Sequence, residues 1–210
     1  MKKNIKNNKN KNNSKKKSKL TSLIDCRSTN VTFNIRFIAY VIDWVLGGIL
    51  TGFPAVYIYA YVTQSSDMFG ELYVFETGGY SIHWAYLAGI LCVLLALFYY
   101  VFVPLKLFPG QTLGKKMMKI KIVTENNQEL NFKALFIRQV VGLFMLESGS
   151  LVVCSYIRQL FSMATTMYVD IVWQWVGSIL FMISAGLAAF TNSHRAFHDY
   201  LAKTKVIFVN

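Results

Sequence analysis

Asp43 is the one charge in an apolar run from Phe37 to Val62, and about 20 apolar residues suffice to cross a bilayer as a helix. A carboxylate placed there costs roughly 2.5–3.5 kcal/mol on insertion scales, so it normally faces protein and has a partner. Arg36 lies seven positions earlier on the same helical face, about 10 Å away along the axis. That is too far for a relaxed ion pair. A third group between the two, or a long reach by Arg36, has to close the gap. The same pattern recurs later, where Arg138 opens an apolar stretch and Glu147 lies nine residues further in. Both acids then sit about 10–14 Å below the same interface. Two carboxylates at matching depth can share a proton or a cation, and desolvation raises their affinity for protons. In this reading Asp43 is the exchanging acid, Glu147 a second ligand and Arg36 a gate or counter-ion. Arg36, Arg138, Asp199 and the loop 110–116 form a cytoplasmic rim above them. The alternative makes Arg36 a clamp between Asp43 and Asp199 that locks the first span to the C-terminal segment, since buried ionic networks often specify packing register.

The surrounding chain suits a membrane. It has 210 residues, of which 54% are apolar and 15% aromatic, values that fit a small integral membrane protein better than a soluble domain. The net charge of +12 is concentrated, because nine of the 22 basic residues are lysines within residues 1–19. No nucleic-acid recognition fold accompanies that charge, so nucleic-acid binding is not expected. Residues 1–30 read as a disordered Lys/Asn-rich tail that holds the N-terminus in the cytoplasm. Residues 63–81 carry Asp67, Glu71 and Glu76 without Lys or Arg and belong outside, whereas five lysines from 106 to 121 place the next loop inside.

The expected fold is an all-α integral membrane protein with four transmembrane helices, near residues 36–62, 82–105, 138–157 and 167–190. Pro54 should kink the first, and Gly48 and Gly52 form a step that permits close helix approach. A cytoplasmic insert, 106–133, reads as a short β-hairpin: a strand over 119–123, a turn over 125–128 and a return strand over 130–132. With both termini and the insert inside, the number of crossings after the insert is even. The polar third segment is then a true span, or part of a re-entrant pair in a two-span protein.

Other constellations are weaker. Gly110-Gln111-Thr112-Leu113-Gly114-Lys115-Lys116 has three residues between its glycines and no hydroxyl after the first lysine, so it fails as a phosphate loop. His194 and His198 are four apart but lack further ligands, and no metal is expected. Cys26, Cys92 and Cys154 form no CxxC pair and no disulfide is expected; Cys92 and Cys154, in the expected spans, read as small buried residues. No nucleophile triad or cofactor fingerprint is present, so neither an enzyme nor a cofactor is expected.

An arginine opening the first span, an aspartate within it and an aspartate in the ending His198-Asp199-Tyr200-Leu201-Ala202-Lys203-Thr204 occur in order. In this the chain resembles the RDD family of small bacterial membrane proteins, named for one arginine and two aspartates. Arg36, Asp43 and Asp199 are the matching residues. The insert with Gly110, Gln111, Thr112, Gly114 and Lys115 looks like the family's loop after the second span, and the likeness covers roughly residues 30–207. It implies a multi-pass protein of the cell membrane in a family mostly of unknown function, with transport suggested and sodium/proton antiport proposed for some members. The functional expectation is transport of a small ion or solute, concretely exchange of Na+, Li+ or K+ for H+ by a homo-oligomer. The competing expectation is a non-transporting adaptor whose basic segments bind a partner or anionic lipid.

Overall fold

The computed structural model describes residues 31–149 and 151–209; the lysine-rich tail expected over residues 1–30 lies outside them. Helix α1 spans Phe33–Thr63 and runs unbroken through the buried Pro54. Its 31 residues reach about 46 Å at 1.5 Å per residue, more than a hydrocarbon core of about 30 Å requires. A short α2 (Tyr73–Thr77) caps the acidic end. Helix α3 (Ile82–Leu97) starts on Ser81, whose hydroxyl accepts from the His83 N–H. It continues in wider π-helical turns over Phe98–Leu107, as the i→i+5 bond from the Phe108 N–H to the Val103 carbonyl at 2.9 Å shows. Pro104 lies inside this stretch and has no N–H to give an α-helical ladder.

At the lysine-rich end, α4 (Leu113–Met117) leads into strand β1 (Ile120–Thr124). Asn131 then caps α5 (Phe132–Phe136) by accepting from the Ala134 N–H at 2.8 Å. The helix goes on with π-helical turns over Ile137–Leu146, ending on an i→i+5 bond from the Glu147 N–H to the Gly142 carbonyl. Helix α6 (Val152–Thr165), α7 (Asp170–Phe190), the single-turn α8 (Phe197–Leu201) and strand β2 (Thr204–Phe208) complete the described chain.

Two features differ from the sequence expectation. The expected hairpin does not form: β1 pairs antiparallel with β2, from Ile120 opposite Phe208 to Thr124 opposite Thr204. The turn at Thr124–Gln128 is present, but Asn131 starts a helix where a return strand was expected, and the strand finds its partner near the C-terminal end. Ile120, Ile122 and Val206 point to one side of the ribbon and pack with Val31 and Ala39. The second difference is the third apolar segment, expected as one helix over 138–157. It is two arms with a break between Leu146 and Val152. The backbone freed there is largely taken up internally: Arg158 Nη1 donates to the Ser148 carbonyl at 2.6 Å and Trp173 Nε1 to that of Met145 at 2.9 Å. Polar backbone at a break in apolar surroundings survives only when it is satisfied in this way.

Among the described residues, three helices are long and apolar enough to cross a membrane: Phe33–Thr63, Ile82–Leu107 and Asp170–Phe190. Their surfaces are inverted relative to a soluble protein. Ile49 and Trp175 are each 68% exposed, whereas Asp43, Arg138, Glu147 and Asp199 are buried. Such broad apolar exposure needs a non-aqueous surrounding. The helices are held together by small residues, with Ala55, Ala85, Ala88 and Cys92 packed around Phe75 and Tyr156 in the acidic half. Tyr99, Tyr100 and Phe144 fill the centre.

Candidate functional site

The loop Gly110–Lys115 is built around the Asp43 carboxylate. Thr112 donates its hydroxyl to Oδ2, Gly114 its N–H to Oδ1 at 2.8 Å and Lys115 its ammonium to Oδ2 at 3.0 Å. From the opposite side Tyr99 donates to Oδ1 at 2.8 Å, while its neighbour Tyr100 donates to the Asp43 backbone carbonyl at 2.9 Å. Two consecutive side chains of the π-helical stretch thus reach the same residue, one its carboxylate and one its backbone. A side chain at Gly114 would put its Cβ 2.3 Å from the Ala39 carbonyl oxygen, so only glycine lets the loop reach α1. Gly110, at φ +76°, turns the chain where a Cβ would strike the Ile122 carbonyl, and Gln111 ties the loop to β1 by donating to the Ile120 carbonyl at 2.9 Å. The loop that failed as a phosphate binder therefore cradles an internal carboxylate.

Asp199 holds the second cluster. It lies in the first turn of α8, is fully buried, and accepts from the Ala196 N–H at 3.0 Å. Arg36 reaches it with one guanidinium nitrogen and gives the other to the His194 carbonyl. Arg138 Nη2 lies 2.7 Å from Oδ1. Burial opposes ionisation of Asp199, but Arg138, Arg36 and His198 around it outweigh that and hold its carboxyl well below the usual carboxylate range. Two guanidinium groups thus share one carboxylate. The Arg138 Nε and Nη1 atoms meet no hydrogen-bond acceptor among the described residues, although the side chain is only 2% exposed.

Glu147 ends the first arm of the broken segment and forms the third cluster. His198 Nδ1 is 3.0 Å from each of its carboxylate oxygens, the His198 N–H donates at 3.0 Å and Ser184 donates at 2.9 Å. The imidazole stands between two acids, since its Nε2 is 4.0 Å from Asp199 Oδ1. A cavity of about 220 Å³ opens beside these groups. Its polar lining is Arg36, Lys115, Arg138, Gln139, Glu147, Ser184 and His198; the remainder is mostly apolar and comes chiefly from α1 and α7.

A model of the RDD family matches residues 31–203. The chain belongs to the RDD family. No curated protein and no solved structure matches it. In this RDD protein the family's arginine and two aspartates divide between two clusters, because Arg36 pairs with Asp199 while Lys115 pairs with Asp43. The clamp expected of Arg36 exists toward Asp199, and the third group expected between Arg36 and Asp43 is replaced by the loop. Asp43 and Glu147, expected to share a proton or cation, are held by different partners. Arg138, expected on the rim without an assigned partner, pairs with Asp199. His194 and His198 diverge, with His194 on the Ala188 carbonyl and His198 on Glu147. Sequence reading passed over His198 as a partner for Glu147, Tyr99 as a donor to Asp43, and Arg158, which pairs with Asp170 at 2.7 Å. The signal for all three was a buried acid or a broken backbone in need of donors.

Proposed function

We propose that this protein is a proton-coupled carrier of a small solute in the cell membrane. In this reading the two arms of the broken segment together make a fourth crossing, and the lysine-rich end with both termini faces the cytoplasm. The observation that carries it is the Glu147–His198 pair, placed at the break between the two arms and in the wall of a cavity. Discontinuous helices lining a cavity are where carriers place their substrates and coupling ions, and an imidazole is the side chain suited to exchanging protons near neutrality. Glu147, rather than Asp43, is then the exchanging acid, because Asp43 is enclosed by its own donors.

Charge supports an anion as the companion of the proton. Around the cavity Arg36, Arg138 and Lys115 balance Asp43, Asp199 and Glu147 when His198 is neutral. A proton taken up by the Glu147–His198 pair leaves one positive charge in excess, which an incoming anion cancels. A sodium, lithium or potassium ion would instead add to that excess positive charge. The adaptor reading draws on the β1–β2 ribbon, which sets Lys121 and Lys205 at the lysine-rich end.

The test is proton movement in proteoliposomes on adding sodium, lithium, potassium or an organic monocarboxylate, for the wild type and Glu147→Gln. Flux with the monocarboxylate, lost in a folded Glu147→Gln protein, is the expected result. Flux with the alkali cations instead would restore cation exchange, and no flux from folded wild type with any of them would leave the adaptor reading.

A further inference from the structure

We infer that the lysine-rich end of the protein docks on anionic phospholipid headgroups, through the short helices α4 and α5 and the last turn of α3. This surface is separate from the cavity and does not depend on the carrier reading. Lys106, Lys116, Lys119, Lys133 and Lys203 are all exposed at this end, and none of them makes an ion pair among the described residues. The carboxylates of the same end are turned inward. Asp43, Glu147 and Asp199 are buried, and Glu125 is taken by Arg195. Glu129 is the one exposed acid there among the described residues. The opposite end has the reverse sign, with Asp67, Glu71 and Glu76 exposed and no Lys or Arg from 63 to 81.

Positive charge alone would suit any acidic partner; the apolar side chains set among the lysines single out a membrane surface. On α4, Leu113 and Met117 are four apart and both exposed, Met117 by 65%, with Lys116 beside them. On α5, Phe132 and Phe136 repeat the pattern next to Lys133, their ring centroids 5.7 Å apart and Phe132 57% exposed. The exposed Leu107 follows Lys106 at the end of α3. Residues four apart share one side of a helix, so each short helix offers an apolar pair next to an ammonium. Lys116 stands over the Phe108 ring, 3.4 Å from its centroid, which places one ammonium among these side chains. Such a face belongs at the boundary of headgroups and acyl chains, with its apolar groups toward the chains and its lysines reaching the phosphates. Its position agrees. Helix α4 packs on α1 and α5 on the π-helical end of α3, two helices whose own flanks expose Phe37 and Phe102.

The test uses the full chain in proteoliposomes of equal parts phosphatidylcholine and phosphatidylglycerol. Trace spin-labelled lipid of either kind reports which one the protein holds at its boundary. Wild type should favour phosphatidylglycerol, and the preference should fall as salt is raised. The triple variant Lys106→Gln, Lys116→Gln, Lys133→Gln keeps every lysine of residues 1–19. It should lower the preference at least about twofold, against a ceiling of about fivefold for each lysine removed. Phe132→Gln with Phe136→Gln leaves every charge in place and should lower it as well. If the triple variant does not fold, Lys106→Gln with Lys133→Gln, which spares the Lys116–Phe108 contact, decides. Equal holding of the two lipids by wild type would overturn the inference. An unchanged preference in the folded lysine variants would overturn it too, leaving this surface for a soluble acidic partner. An unchanged preference in the folded phenylalanine variant would overturn it in favour of loose attraction by charge alone.

Discussion

Asp43 and Glu147 are both carboxylates buried within helical segments of an RDD protein, and both lie near one cavity, yet they are finished differently. Asp43 is closed: a hydroxyl, an N–H, an ammonium and a phenol converge on its two oxygens, and a dedicated loop is folded to deliver three of them. Glu147 stands at a helix break, bonded to the His198 imidazole, the His198 N–H and the Ser184 hydroxyl, and it lines the cavity. Charge and burial are alike in the two acids; what differs is the donor set, a dedicated loop at Asp43 and a histidine side chain at Glu147.

The largest effect should come from Asp199→Asn, which leaves the buried Arg138 and the half-buried Arg36 without their carboxylate. A loss of about 3–5 kcal/mol is expected, read as a collapse of thermal stability in detergent; a change within about 1 kcal/mol would mean the cluster is not a structural clamp. The same residue shapes the acid limb. Its folded carboxyl titrates below the ordinary Asp value of about 3.9, so below that value the unfolded chain binds more protons. The stability Asp199 contributes is then fully present above about pH 5 and lost as pH falls from there, which unfolding curves across pH 6 to 2 will check. Asp43→Asn should cost about 1.5–3 kcal/mol, the scale of hydrogen bonds to a charged group, while leaving proton-coupled flux in the folded protein. Loss of flux at unchanged stability would reverse the roles given to the two acids. Gly114→Ala should cost about 1–3 kcal/mol by driving a methyl group against α1, again with flux kept. Glu147→Gln should be the mildest for the fold, within about 1.5 kcal/mol, because an amide oxygen still accepts from Ser184 and the His198 N–H. Its effect belongs in the flux assay, and a folded Glu147→Gln protein with normal flux would break the comparison.

Residue types in order were enough to determine the membrane class, the alternation of acidic and lysine-rich ends, and the need of each buried charge for a partner. Expelling apolar surface from water and charge from lipid depends on the side chain's chemistry, wherever its neighbours lie. Even the Arg36–Asp199 bond was legible as one of two ways to satisfy Arg36. The choice among partners was decided in three dimensions. Lys115 reaches Asp43 across 72 positions and His198 reaches Glu147 across 51, and several other donors in the chain had the same chemistry to offer. The hairpin failed for the same reason: the 119–123 pattern specified a strand with one buried side, and a ribbon from the C-terminal end satisfied it as well as a local return strand would have. The break after Leu146 likewise needed Arg158 and Trp173 at hand to take its free carbonyls. Hydrogen bonds and ion pairs act over a few ångströms, so they are decided by which groups the packed helices bring together.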